Sequence, residues 1–275
     1  MGICKVCGGP VTVTHRGILL GRYEVEYFKC SACEFWCTEE PYWLEEAYSN
    51  AISTTDTGLV YRNLLLARRL KIILSHLFPQ GPYVDWAGGC GMFVRLMRDS
   101  GFDFYWQDRY ADNLLARGFE WDQEAGRRSA SLVTAFEVLE HTPDPLAFFH
   151  EALSQTDADA LFFTEILHPG AKVDPDWWYL APGTGQHISF FSEQTLQKVA
   201  EILGMHLRSW GSFHLLTKQP VSQRRYQTAM FWAKAADALS QVPNVLSRGH
   251  HSLTEADNLT LIARSVPDGA SPVRL

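Results

Sequence analysis

The chain has no apolar run approaching the roughly 20 residues that would span a bilayer. It also has no surplus of basic charge, with 31 Asp and Glu against 24 Lys and Arg and a formal net charge of −7. The first absence argues against a membrane protein. The second argues against a binder of nucleic-acid backbones, because counterion release needs clustered Lys and Arg. The N-terminus, Met1-Gly2-Ile3-Cys4-Lys5, lacks the apolar core of a signal peptide, so the cytoplasm is the expected location. Val6 stands where N-myristoylation sites carry Ser or Thr, which sets that modification aside. No internal repeat or low-complexity tract is evident, and no cysteine follows position 90. What is present is ordinary for a packed protein: 275 residues, 46% of them hydrophobic, enough for one large α/β domain and a small appendage.

Five of the six cysteines are crowded into positions 4, 7, 30, 33 and 37. Cys4-x-x-Cys7 and Cys30-x-x-Cys33 form two knuckle-like pairs. Between them Val11, Val13, Tyr23, Val25 and Tyr27 alternate as strands do. The pattern predicts a zinc ribbon, two knuckles closing on a β-hairpin. So short a segment buries too little apolar surface to fold alone, and four thiolates on one structural zinc ion would supply the missing stability. The gap between the pairs is slightly longer than in the commonest four-cysteine template, and a disulfide pair is the competing reading. Cys37 is a spare, either a small buried residue or an alternative ligand.

From Trp43 to about Leu77 the apolar spacing becomes helical (Leu64, Leu65, Ala67, Leu70, Ile73, Leu74, Leu77), and Pro79-Gln80-Gly81-Pro82 breaks it. Strands and helices then alternate. Strands are expected at Tyr83 to Trp86, Phe104 to Gln107, Gly118 to Trp121, Leu132 to Phe136 and Ala160 to Glu165. Helices are expected at Met92 to Ser100, near Asn113, at Pro145 to Leu153 and at Ser192 to Leu203, the last with a Ser cap and Gly204 as a stop. Such alternation specifies a mostly parallel sheet covered by helices on both faces. Two further β-rich segments, Leu207 to Thr217 and Asn258 to Ser265, are expected to pair as an antiparallel hairpin around a helical insertion near Tyr226 to Leu239. The domain reading is therefore a ribbon at 1–40, a helical linker at 41–80 and a core at 81–275 with an insertion at about 220–250.

The densest chemical signal is Asp85-Trp86-Ala87-Gly88-Gly89-Cys90-Gly91, lying between an expected strand and an amphipathic helix. Glycines there let the backbone approach a ligand, and the next helix offers its first amides. The spacing is tighter than Gly-x-Gly-x-x-Gly, which disfavours NAD. Asp108 ends the next strand, about 20 residues on, where an acidic group can accept hydrogen bonds from ribose hydroxyls. Further along come Glu137-Val138-Leu139-Glu140-His141 and, after the fifth strand, an aromatic loop with Trp177, Trp178 and Tyr179 that leads into Gln186-His187-Ile188-Ser189-Phe190-Phe191-Ser192. Glu137 and His141 stand at i, i+4 and would share a face if that turn were helical. His187 reads either as a base or substrate-orienting group, or as a cap for the following helix.

In this order, the glycine run, Asp108, the EVLEH stretch and the QHISFFS stretch resemble class I S-adenosylmethionine (SAM)-dependent methyltransferases over roughly residues 40 to 215. The resemblance implies a Rossmann-like, seven-stranded α/β sheet with an antiparallel terminal hairpin, and SAM as cofactor. It implies that Asp85, Ala87, Gly88, Gly89, Gly91 and Phe136 lie beside the cofactor and Asp108 on its ribose. Tyr48 would cover the methionine and Arg62 would pair with its carboxylate, unless Arg62 is a surface residue paired with a local acidic partner such as Asp56. Glu137, His141 and His187 are the candidates for the acceptor side. Trp86 and Ala87 replace the Ile or Val and the Gly usual in that loop, and no acidic turn for the adenine amine is found between Glu120 and Ser131. Zinc ribbons accompany methyltransferases of nucleotide-activated sugars and some of ribosomal RNA. The acidic balance favours a small-molecule or glycan acceptor over RNA. A catalytically silent adaptor on the same fold is the non-enzymatic alternative.

Overall fold

The computed structural model describes residues 2–49, 56–121, 129–170 and 174–240, together with residue 259. The chain opens with β1 (Val11–Leu19) and β2 (Tyr23–Cys30), an antiparallel hairpin, followed by β3 (Trp36–Thr38) against β2. Leu20 and Gly21 both take positive φ, 53° and 70°, and so turn the hairpin with the hand its twist requires. Short helix α1 (Leu44–Ala47) and long helix α2 (Leu59–Leu77) follow, the latter burying Leu66, Ala67, Leu70, Ile73, Leu74 and Leu77 along one side.

The main sheet is built from β4 (Tyr83–Trp86), β5 (Phe104–Gln107), β6 (Leu132–Ala135) and β7 (Ala160–Thr164), with α3 (Met92–Asp99) and α4 (Pro145–Thr156) between them. Strands β4, β6 and β7 are buried at every position, as parallel strands covered on both faces must be. The chain then contributes β8 (Ser189–Phe190), α5 (Glu193–Leu203), β9 (His206–Trp210), β10 (Phe213–Thr217) and α6 (Gln223–Ser240). The sheet order is β5-β4-β6-β7-β10-β9, parallel up to β7 and antiparallel beyond it. One face packs on α2, α3 and α6, and the other on α4 and α5.

Three elements differ from expectation. The strand at Gly118 to Trp121 is a single parallel bridge between Trp106 and Glu120, beside six full strands of this sheet among the described residues. The segment near Asn113 is a string of bends, held by Asn113 Oδ1 accepting from the Ala116 amide at 2.9 Å. The terminal hairpin forms entirely within Leu207 to Thr217 and its neighbour His206, because Gly211 (φ 58°) reverses the chain there. Helix α6 therefore follows the hairpin and packs beside α2 instead of interrupting it. Of Asn258 to Ser265, all but residue 259 lie outside the described residues, as do 122–128 and the end of the expected insertion.

The ribbon is not a detached module. Its sheet runs β1-β2-β3-β8, so its fourth strand comes from the far end of the chain. Cys4, Val6, Cys30, Cys33 and Phe35 share one core cluster with Phe191, Leu196 and Val199. The Thr195 hydroxyl at the start of α5 donates to the Cys33 carbonyl at 2.8 Å. The apolar face of a small sheet has to be covered, and here the core covers it.

Candidate active site

Each half of the site sits at the carboxyl ends of the parallel strands, where such sheets open a crevice. The glycine run leaves β4 and turns into α3. Ala87, Gly89 and Gly91 have φ of 59°, 53° and 82°, so three of five consecutive residues are left-handed. Glycine takes this conformation at no steric cost, whereas Ala87 is strained by it. A Cβ on Gly88 would meet Trp106 Cδ1 at 2.9 Å and Asp85 Oδ2 at 3.0 Å, so this glycine is fixed by packing. A Cβ on Gly89 would meet nothing within 4 Å, so its positive φ and not its packing calls for glycine. Asp108 Oδ2 accepts from the Gly89 amide at 2.9 Å, and Oδ1 from the Tyr110 and Ala111 amides at 2.7 and 2.9 Å. The acidic group thus stands directly beside the glycine loop. This loop and carboxylate fit the sugar and methionyl parts of SAM.

The remaining cofactor candidates are placed differently. Asp85 is turned inward: it is buried, and its Oδ1 accepts from the Thr134 hydroxyl at 2.7 Å. Burial pushes its carboxyl up to about 7, against the lowering effect of Thr134 and with a further rise from Asp108. It braces the glycine turn from below. Phe136 packs edge-on against Phe93 and Phe162. Arg62 makes two 2.8 Å bonds to the Asp56 carboxylate, with its Nε 3.9 Å from Glu137 Oε2, so its charge is already engaged. The Tyr48 hydroxyl lies 2.9 Å from His141 Nδ1.

The acceptor side gathers residues from four distant segments. After β6, Glu137 takes a left-handed φ of 56°, and Leu139–His141 form one 3-10 turn. No helical face joins Glu137 to His141. Glu137 instead accepts from the Thr164 hydroxyl at 2.8 Å, and Glu140 takes the place beside the histidines. The loop carrying His187 is pinned to this turn by the Ile188 amide, which donates to the Glu140 carbonyl at 2.7 Å. The two imidazoles meet edge to face with centroids 4.9 Å apart, and His187 also lies against the Tyr179 ring at 4.7 Å. Helix α5 is capped by Ser192, whose hydroxyl accepts from the Thr195 amide at 3.1 Å, so His187 is not a cap.

Electrostatics single out residues that sequence reasoning passed over. Glu140 is 1% exposed and its Oε2 has no hydrogen-bond partner among the described residues. Both carboxylate oxygens of buried Glu165 are likewise unpartnered there. Burial pushes Glu140 up to about 7, and Glu165 is raised well above the usual carboxylate range by burial and by Glu140 and Glu137. The same burial lowers His187 to about 4, assisted by His141, and lowers His141. His187 is therefore neutral at pH 7. Tyr179, beside these acids, has its phenol raised by burial and by their charge. Glu140 was legible within the EVLEH stretch, but nothing in the residue pattern marked Glu165 or Tyr179 as its neighbours.

The ribbon holds the loop that carries His187. Leu20 donates its amide to the Pro182 carbonyl at 2.9 Å, Thr38 its amide to Ile188 at 3.0 Å, and Trp43 its indole N–H to Gly185 at 2.7 Å. Gln186 Nε2 donates to the Ala47 carbonyl at 2.7 Å.

Cys4, Cys7, Cys30 and Cys33 converge with all sulfurs within 4.8 Å of one another, and Cys37 stands apart in β3. Cys4 and Cys33 Sγ are 3.6 Å apart, and Cys7 and Cys30 Sγ 3.5 Å. These distances exclude disulfides, whose sulfurs are about 2.05 Å apart. Tetrahedral bonds of about 2.3 Å to zinc set thiolates about 3.8 Å apart, so the set fits that ion. The Val6, Gly9 and Ala32 amides each point at a sulfur at 3.4 Å.

A family model described as methyltransferase domain matches residues 60–209. No curated protein matches the chain. Among solved structures, the magnesium protoporphyrin IX methyltransferase of Synechocystis PCC 6803 with bound SAM is 13% identical at a TM-score of 0.41, covering 64% of this chain and 89% of that one. An O-methyltransferase family protein of Burkholderia thailandensis is 16% identical at 0.46, covering 66% of this chain and 63% of that one. The mitomycin 7-O-methyltransferase is 15% identical at 0.37, covering 55% of this chain and 52% of that one.

Proposed function

The chain belongs to the methyltransferase domain family, and from that premise we propose that it transfers a methyl group from SAM to a small-molecule acceptor, a sugar, nucleotide sugar or glycan. The observation that carries this reading is the pairing of the glycine loop and Asp108 with the cluster of buried Glu140 and half-buried His141 and His187 at the same end of the sheet. Bound SAM supplies an electrophilic methyl on a sulfonium that is already a good leaving group.

The protein's part is to align the acceptor with that methyl and to exclude water. Gly88, Gly89 and Gly91 present backbone to the methionyl end, and Asp108 retains acceptor capacity for the ribose hydroxyls. His187 donates from Nδ1 to the Tyr179 carbonyl at 2.6 Å, which leaves Nε2 as a bare lone pair. Positioned there, it would accept the proton of an acceptor hydroxyl, whose oxygen would take the methyl that bound SAM supplies. Tyr48 and His141 shape the wall of the acceptor side. Cys4, Cys7, Cys30 and Cys33 hold one structural zinc, and through it the ribbon keeps the 182–190 loop in place. The acidic balance of the chain supports a small acceptor over RNA.

Calorimetric titration with SAM and S-adenosylhomocysteine, with NAD as a control, tests the reading. Micromolar binding of the SAM pair alone is expected, followed by turnover in a screen beginning with sugars and nucleotide sugars. Absence of SAM binding would refute it, and a salt-sensitive RNA gel shift would overturn the acceptor class.

A further inference from the structure

We propose that Glu140, His141 and His187 form a second metal site, one that holds a single divalent first-row transition cation on the acceptor side. One ligand atom from each residue lies within 4.8 Å of the others. Bonds of about 2.1 Å span at most about 4.2 Å across a cation, so loading requires only a small contraction of the set.

Three features distinguish this cluster from an ordinary buried polar group. First, both rings are oriented by a backbone carbonyl on Nδ1, His187 by Tyr179 at 2.6 Å and His141 by Gln186 at 3.0 Å. A carbonyl can only accept, so His187 Nδ1 carries the proton and its Nε2 is a free donor pair; His141 Nδ1 stands between the Gln186 carbonyl and the Tyr48 hydroxyl at 2.9 Å, and donating to that carbonyl frees its Nε2 in the same way. Metal-binding histidines are held in this way. Second, Glu140 is 1% exposed, with Oε2 unpartnered among the described residues. A buried carboxyl oxygen without a partner is costly, and a cation among these three side chains would supply one. Third, the Ile188 amide on the Glu140 carbonyl locks the two ligand-bearing segments together.

The donor set names the cation class. Two imidazole nitrogens and one carboxylate suit zinc, cobalt, manganese or iron(II), whereas magnesium and calcium favour oxygen ligands. It also differs from the four thiolates of the ribbon. Three protein ligands leave positions open for water or a substrate oxygen. Given the methyl-transfer reading, which this consequence rests on, the open positions take an acceptor hydroxyl. With His187 Nε2 on the cation, the cation takes over the role given above to that lone pair: it acidifies the hydroxyl, whose proton leaves to water, and the oxygen then bonds the methyl while the carbon–sulfur pair passes to sulfur. The oxygen would thus be the methylated atom.

The test is metal stripping of the full chain, reloading with cobalt(II), and measurement of bound equivalents by elemental analysis and visible absorption, with SAM calorimetry on the same samples. Two equivalents per chain are expected, one with thiolate charge-transfer bands and one with ligand-field bands alone. Glu140→Gln and His187→Gln should each abolish the second equivalent and leave the thiolate bands and SAM binding intact. Wild-type protein that binds one equivalent, with thiolate bands only, overturns the site whatever the variants do. A second equivalent that survives both substitutions overturns it as well. If the second equivalent is present but SAM fails to bind, the site stands and the methyl-transfer reading falls.

Discussion

The two halves of the site are built in opposite ways. The cofactor half is nearly contiguous: β4, the glycine turn and Asp108 fall within residues 83–108, and its contacts are made by backbone already committed to a turn. The acceptor half draws on Tyr48, the 137–141 turn, Glu165 and the 179–190 loop, and its key loop is held by a sheet whose other strands lie before residue 40. A local half can be read and altered one residue at a time. A half assembled from distant segments depends on every element that positions it.

That difference predicts that damage to the ribbon falls on the acceptor half. If the four cysteines hold zinc as proposed, Cys33→Ser removes one ligand and should destabilise the protein by about 4 kcal/mol or more, in the range of losses tied to a metal. Turnover should vanish while residual folded protein still binds SAM; equal loss of both in the folded fraction would erase the distinction between the halves. Within the acceptor half, His187→Ala should lower kcat by about 10²–10⁴-fold with SAM affinity retained, the span expected of a proton acceptor. Full activity in steady-state assays would demote it to a wall residue.

Asp85 carries the comparison to stability. Its folded carboxyl is raised from 3.8 to about 7, so the folded state keeps a proton that the unfolded chain has already lost. Stability should therefore fall as pH rises between about 4 and 7 and then level off, with a full difference of about 4 kcal/mol at 1.36 kcal/mol per unit. Asp85→Asn should flatten this slope. Parallel melting-temperature profiles for the two proteins from pH 4 to 8 would show that Asp85 ionises normally.

Smaller effects sharpen the cofactor half. Asp108→Ala should weaken SAM binding by roughly 30-fold, about 2 kcal/mol, the scale of a hydrogen bond to a charged group. Unchanged calorimetric affinity would remove the ribose role. Ala87→Gly should relieve the left-handed strain at φ 59° and raise stability by about 1 kcal/mol, offset in part by glycine's greater freedom when unfolded. A lower melting temperature would show that the alanine side chain is packed and needed.

The sequence by itself determined what local backbone demand and residue spacing encode. The glycines mark a turn that side chains would obstruct, the paired cysteines mark two knuckles, Ser192 and Gly204 bound α5, and the alternation of short strands with helices marks a mostly parallel sheet covered on both faces. Only the tertiary structure decided that β3 pairs with β8, that Arg62 is committed to Asp56, that Glu140 and not Glu137 adjoins the histidines, and that the terminal hairpin closes at Gly211. The physical reason is that apolar pattern states which face of an element is buried but not what covers it. Pairings between segments far apart in the chain are chosen by packing and hydrogen-bond satisfaction across the whole fold, which no short window of residues contains.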